Sequence, residues 1–69
     1  MRTTVDELIE HIELIKVART RETVINEAEY TLGFIRALEI TYMLNRKSCE
    51  TYRQKAAEAR DERLKEIER

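Results

Sequence analysis

Residues 30–44 read YTLGFIRALEITYML and hold only two charged residues, Arg36 and Glu39, in a chain that is 39% charged. At about 100° per residue, the apolar side chains of this segment fall on several sides of a helix. They form one stripe of Leu32, Ile35, Leu38 and Tyr42 and a second set of Phe34, Ala37, Ile40 and Leu44. A helix that is apolar nearly all round must be buried on more than one side.

A buried β-strand is the alternative interpretation of an apolar run. The length favours a helix, because fifteen residues exceed the usual strand and Leu, Ala, Met and Glu are good helix formers. The run is also shorter than the roughly 20 apolar residues that a membrane-spanning helix needs. We therefore expect a soluble core helix, with no membrane partner.

Gly33 lies inside this predicted helix, where a glycine costs about 1 kcal/mol relative to alanine. Gly33 and Ala37 are four residues apart and share a face without bulky side chains. Such a face allows the backbone of another helix to approach closely. The alternative is a tolerated surface glycine or a slight kink.

The small size of the chain limits its stability. Its 69 residues make one domain, and a core of this size rarely stabilises by more than about 3–5 kcal/mol without disulfides, metal or self-association. Cys49 is the only cysteine, so no internal disulfide can form, and an unpaired cysteine fits a reducing compartment. The first residues lack the apolar segment of a signal peptide. We expect a cytoplasmic protein that gains stability by oligomerising.

The segment before the core helix predicts an amphipathic first helix over about residues 5–18. Thr4 and Glu7 have the spacing of a capping box, and apolar residues recur behind them every three or four positions. Residues 19–23 are polar and predict a turn, in which either threonine could cap the next helix. A helix that continues straight through this segment is the alternative.

The core helix is expected over about residues 22–46, followed by a charged helix over about residues 48–67. The segment Asn45–Ser48 weakens the helical pattern, and Ser48 could cap a third helix. After it the chain is mostly Glu, Arg, Lys and Ala, which predicts a solvated helix that is docked at its start and frays towards Arg69. We favour an extension of the core helix over a separate third helix.

These elements predict an all-α protein built as an antiparallel helical hairpin with a long second helix. The first helix covers one side of the second and leaves other apolar positions open, and an exposed apolar patch marks an interface. A second copy of the chain would complete a four-helix-bundle-like homodimer. The predicted dimer interface comprises Leu32, Gly33, Phe34, Ala37, Ile40, Thr41 and Leu44.

No pattern in the sequence predicts catalysis, a metal or a cofactor. His11 is the only histidine, and Leu8 stands where a Glu-x-x-His metal pair would need its carboxylate. We interpret His11 as a surface residue and Cys49 as a small buried or half-buried residue. The glycine-rich phosphate loop, the Cys-x-x-Cys pair and the nucleophile elbow are all missing. We therefore expect a protein that is not an enzyme.

Four basic residues near the start of the C-terminal segment are candidates for nucleic-acid contact: Arg46, Lys47, Arg53 and Lys55. They give a local excess of positive charge, but the isoelectric point is about 5.9. Nucleic-acid-binding domains usually have a higher isoelectric point or a whole basic face. An ordinary solvated helix is the favoured interpretation.

The sequence therefore predicts a small regulatory or interaction protein that acts as a helical homodimer and binds another macromolecule, most simply a protein partner. Short chains of this kind are common among phage and bacterial accessory proteins. One alternative is a dimeric nucleic-acid-binding regulator that uses the 46–55 basic patch. Another is a small helical chaperone that covers a helix of its client.

Overall fold

Each helix of the protein begins at a polar side chain that accepts a hydrogen bond from a backbone N–H three residues later. In the computed structural model, which describes residues 1–68, these caps are Thr3, Thr20 and Asn45. The hydrogen bonds run to Thr3 Oγ1 over 3.1 Å, to Thr20 Oγ1 over 3.1 Å and to Asn45 Oδ1 over 2.8 Å. Such caps satisfy N–H groups that have no partner within the helix.

Three helices follow from these caps in the described part of the chain, and the prediction of an all-helical protein is confirmed. Helix α1 spans Thr4–Val17, helix α2 spans Arg21–Ile40 and helix α3 spans Arg46–Ile67. Every pair of helices is in contact, so they form a three-helix bundle with extents of 39 × 24 × 15 Å.

The capping box of α1 lies one residue earlier than predicted. Thr3 and Asp6 form it, with the Thr3 N–H donating to Asp6 Oδ2 over 3.0 Å; the predicted pair was Thr4 and Glu7. Glu7 instead forms an ion pair with Arg2 over 2.8 Å. The hydrogen bonds from the Thr3 backbone and then from its hydroxyl lower the pKa of Asp6. A charged Asp6 therefore also favours the first turn of the helix.

Contacts at the chain's turns establish the direction of each helix. Arg21, at the start of α2, forms an ion pair with Glu68, just after α3. The Arg63 Nε–H donates to the carbonyl oxygen of Ala18 over 2.7 Å, which links the end of α3 to the end of α1. Helices α1 and α3 are therefore parallel to each other and antiparallel to α2.

The bundle core contains residues from all three helices, but α3 contributes mainly small ones. Leu8, Ile15, Val24 and Ile35 are fully buried from α1 and α2. The buried residues of α3 are Cys49, Ala56 and Ala59, with Tyr52, Leu64 and Ile67 half-buried against the core. Small side chains allow α3 to approach its neighbours closely.

The favoured extension of α2 through Asn45 is wrong, because α2 ends at Ile40 and α3 is a separate helix from Arg46. The chain reverses through a Schellman motif, with the N–H of Met43 donating to Leu38 O over 2.9 Å and that of Tyr42 to Glu39 O over 3.2 Å. The start of α3 is docked, as expected, with Cys49 buried, and the helix stays packed against the core further than expected, through Ile67; Arg69, towards which fraying was expected, lies outside the described residues. Burial of its alanines and half-burial of its larger apolar groups favour docking over extension.

Tyr42 is the left-handed residue of this reversal, with φ of 59°, and its side chain is 93% exposed. Glycine is the usual residue at this position of a Schellman motif, because a β-carbon there costs about 1–2 kcal/mol. The protein therefore holds an exposed tyrosine in a backbone conformation that disfavours it.

We predict that Tyr42→Gly raises the free energy of unfolding by about 0.5–1 kcal/mol, since relief of the β-carbon clash exceeds the greater freedom of unfolded glycine. Tyr42→Ala is the matched control, because it removes the ring but keeps the β-carbon, and it should leave stability nearly unchanged. Urea unfolding followed by circular dichroism measures both. A loss of stability in Tyr42→Gly would show that the tyrosine ring itself supports the turn.

Candidate functional site

The side of α2 that points away from the bundle carries a continuous uncharged surface. We call it the α2 outer face and define it as Tyr30, Gly33, Ala37 and Ile40, which recur every three or four residues. Tyr30 is 57% exposed and Ile40 is 59% exposed, while Gly33 and Ala37 are exposed small residues between them. The face is apolar, and no other described part of the chain covers it.

Gly33 has no structural role inside its own chain. Its φ is not positive, so the backbone does not require glycine there. A β-carbon added at Gly33 would meet no atom within 4 Å, so packing within the bundle does not require glycine either. Glycine at this position therefore costs the helix about 1 kcal/mol relative to alanine, and no contact within the described residues compensates for that cost.

The predicted interface residues divide into two groups in the structure. Gly33, Ala37, Ile40 and Thr41 are exposed, and the first three belong to the α2 outer face. The other three, Leu32, Phe34 and Leu44, are half-buried against the core of their own chain. The reason is that α1 and α3 lie on both flanks of α2, whereas the predicted hairpin left one flank open.

Tyr30 is part of the outer face but was not among the predicted interface residues. The available signal was its spacing, because Tyr30 lies seven residues before Ala37 and therefore on the same side of the helix. Its ring also contacts the His11 ring, with 4.7 Å between centroids, so Tyr30 lies where the outer face meets α1.

Two oppositely charged residues border the outer face on the α3 side. Glu29 is exposed and forms no ion pair with any residue in the described range 1–68. Arg36 has a 69% exposed side chain and lies 4.0 Å from Glu39, at the limit of an ion pair. Glu39 is bound more closely by Arg53 of α3. Glu29 and Arg36 thus have charge available for contacts outside the chain.

The four residues predicted for nucleic-acid contact do not form one surface. Arg46 lies 3.5 Å from Glu50, and Arg53 forms its ion pair with Glu39. Lys55 points to the other side of α3, where its ammonium lies 5.8 Å from the centroid of the Tyr52 ring. Lys47 is exposed and lies between these two sides. The local positive charge of the sequence is therefore spread around the helix and partly neutralised.

Three surface depressions lie beside these residues, and two of them are each lined by five charged side chains. One of about 420 Å³ runs between α1 and α3, with Ile9, Ile12 and Tyr52 among its lining residues and both acidic and basic side chains around them. The other, of about 540 Å³, lies between α2 and α3 and contains Arg36, Arg46 and Arg53 together with Glu39 and Glu50. Neither depression concentrates a single sign of charge.

His11 is not the surface residue that the sequence predicted. Its side chain is only 18% exposed and packs against the rings of Tyr30 and Phe34, the latter with 5.8 Å between centroids. Its Nδ1 atom is buried without a hydrogen-bond partner in the described residues, and its Nε2 atom lies 3.9 Å from a carboxylate oxygen of Glu7. The His11 ring therefore serves mainly to pack between α1 and α2 through its contacts with the two aromatic rings.

Cys49 is buried, as the sequence predicted for a structural cysteine, and its Sγ lies 3.7 Å from the carbonyl oxygen of Leu44. A thiol that is closed to solvent is not positioned as a nucleophile. Within residues 1–68, no group of three or more His, Cys, Asp and Glu side chains is arranged to hold a metal ion. Over the same residues, no helix combines the length and the apolar character that crossing a membrane requires.

Comparison of the chain with protein-family models, with curated protein sequences and with solved structures finds no match.

We predict that His11→Phe raises the free energy of unfolding by about 1 kcal/mol, because it keeps the ring contacts with Tyr30 and Phe34 and removes an unpartnered buried nitrogen. The control, His11→Ala, removes the ring contacts as well and should destabilise. Chemical unfolding at neutral pH measures both. A destabilised His11→Phe would mean that Nδ1 has a polar partner worth more than the apolar contact.

Proposed function

We propose that the chain is a small non-enzymatic interaction protein that acts as a homodimer, with the α2 outer face as the surface through which two copies meet. The observation that carries the proposal is Gly33, which costs helix stability and is needed neither for backbone conformation nor for packing in one chain. Close approach of a helix from another copy would account for a glycine at this position.

The exposed apolar residues around Gly33 support the same proposal. Tyr30 and Ile40 each leave more than half of their surface in water, on the outer face that Glu29 and Arg36 border. Burial of apolar surface stabilises association by roughly 25 cal/mol per Å² before the costs of association are subtracted. A small bundle whose third helix buries mainly small residues has much to gain from this burial.

The surface offered to another macromolecule is, in this proposal, the corner between α2 and α3. Tyr42 and Met43 are 93% and 63% exposed there, next to Ile40 at the end of the outer face. A side chain that is held in solvent by an unfavourable backbone conformation is typical of binding sites. The corner is therefore the favoured contact for a protein partner, ahead of the acidic side of α1, where Arg2 already pairs with Glu7 and Glu10.

The nucleic-acid alternative receives less support from the arrangement of charges. Two of its four candidate residues, Arg46 and Arg53, lie in ion pairs, and Lys55 lies on the opposite side of α3. A protein that tracks phosphates needs a continuous basic surface.

We predict that the protein is a concentration-dependent dimer and that Gly33→Leu raises its dimer dissociation constant at least about ten-fold, which corresponds to roughly 1.4 kcal/mol. The bulky side chain would separate the two helices, while its β-carbon would meet no atom within 4 Å in its own chain. Sedimentation equilibrium measures the dissociation constant, and circular dichroism verifies the helix content.

The matched control is Thr51→Leu, which adds a leucine at an exposed position of α3 and should leave the dimer intact. Gly33→Ala separates two effects, since it should stabilise each helix by up to about 1 kcal/mol and yet weaken the dimer. A wild-type protein that remains monomeric at high micromolar concentration, with its helices intact, would contradict the proposal.

A further inference from the structure

We infer that the two copies meet with their α2 helices antiparallel, about a two-fold axis at Gly33, so that Glu29 of each copy faces the partner's Arg36. This inference rests on the proposed homodimer and specifies its geometry. The chemical partner is a second copy of this chain, recognised by apolar contact and by reciprocal ion pairs.

The order of residues across the outer face favours an antiparallel contact. Residues seven apart lie almost directly above one another on a helix, because seven residues complete nearly two turns. Glu29 and Arg36 therefore form one row on the α3 side, and Tyr30 and Ala37 form a second row on the α1 side. Gly33 lies between these two rows.

A two-fold axis that makes the helices antiparallel keeps each row on its own side of the contact and reverses its direction. The first row then places Glu29 opposite the partner's Arg36 twice, once at each end. The second row places the large Tyr30 opposite the partner's small Ala37 twice. The midpoints of the two rows fall at residues 32.5 and 33.5, so a single axis at Gly33 satisfies both.

A parallel arrangement does not produce these pairs. Its two-fold axis runs along the helices and exchanges the two sides of the contact, so each residue stays at the same height as its own copy. Glu29 would then lie at the level of the partner's Tyr30, and Arg36 at the level of the partner's Ala37. Four desolvated charges without partners, two from each copy, would oppose that contact.

Glu29 and Arg36 are also both available to pair with the charges of a second copy. Glu29 forms no ion pair with another residue of the described chain, and Arg36 reaches only the 4.0 Å contact with Glu39, which Arg53 already binds. Both lie at the border of the outer face, where opposite charges guide association and select its register. Within one copy they are two turns apart on α2, so each is better placed for the other copy's charge.

The contact is short. It extends over residues 26–40 of each copy, about 20 Å of helix at 1.5 Å per residue. Such a contact buries less than the roughly 1,600 Å² of a standard stable interface. We therefore expect a reversible dimer at micromolar concentrations, in which a change in two ion pairs is measurable.

The orientation is tested with the full chain, using Glu29→Cys and Arg36→Cys as separate proteins and a short bismaleimide crosslinker. Cys49 is buried and can remain in place. In the antiparallel dimer, a one-to-one mixture should form crosslinked dimer about ten-fold faster than either protein alone, because only the mixture places two thiols opposite each other. Thr51→Cys, exposed on α3, is the control that should not crosslink with itself.

Charge reversal provides the second measurement. Glu29→Arg and Arg36→Glu should each raise the dimer dissociation constant roughly three- to ten-fold, as expected for two border ion pairs turned repulsive. The double variant Glu29→Arg/Arg36→Glu should return to within about two-fold of the wild type, because it restores both pairs.

The possible results distinguish the antiparallel arrangement from the homodimer itself. A monomeric wild type would overturn both. A wild-type dimer that shows no preference for the mixed crosslink, or that is not restored by the double variant, would overturn the antiparallel arrangement and leave the homodimer standing.

Discussion

The second helix has apolar residues around most of its circumference, and residues 1–68 provide two further helices with which to cover it. Helices α1 and α3 lie on its two flanks and bury Val24, Ile35 and Leu38 between them. The third side, with Gly33 at its centre, stays in water. The hydrophobic effect thus builds the bundle and also leaves the surface on which we base the proposed association.

Polar contacts at the two ends of the bundle complement this sparse core. At one end the Arg63 side chain donates a hydrogen bond to the carbonyl oxygen of Ala18, just after α1, and Arg21 pairs with Glu68. At the other end Arg53 pairs with the half-buried Glu39. Exposed ion pairs contribute little, but a guanidinium that satisfies a free carbonyl at a helix end also removes an unpaired polar group. These contacts therefore align α3, whose alanines alone give little side-chain interlocking.

The local features of the sequence predicted the helices well and their ends less well. The turn after α1 followed from five polar residues and a capping threonine, and the structure places the cap at Thr20. The end of α2 could not be predicted locally, because residues 41–45 hold no glycine or proline and Tyr42 is an unusual residue for a left-handed position. The reversal there depends on burial of Cys49, Ala56 and Ala59 against distant residues, which a local pattern does not report.

Contacts between distant residues are also the reason why part of the candidate site could not be predicted from the sequence. Gly33, Ala37 and Ile40 could be placed on an open face from their spacing alone, whereas Leu32, Phe34 and Leu44 are half-buried by contacts with distant residues, such as that of Phe34 with His11 of α1. Tyr30 could have been included from its spacing with Ala37. His11 was placed on the surface because its aromatic neighbours, Tyr30 and Phe34, are nineteen and twenty-three residues away in the sequence.

The chain reversal at Tyr42 affects how two copies of the chain could exchange helices. Tyr42, with its left-handed φ of 59°, and Asn45, with its extended backbone, interrupt the helical path between α2 and α3 in a segment without glycine or proline. Straightening that hinge relieves the strain at Tyr42 and carries α3 away from its own bundle, where the equivalent groove of another copy can receive it. Domain swapping of this kind, in which copies trade their third helices, would keep the core positions of Cys49, Ala56 and Ala59 and would break the Schellman hydrogen bonds of the turn.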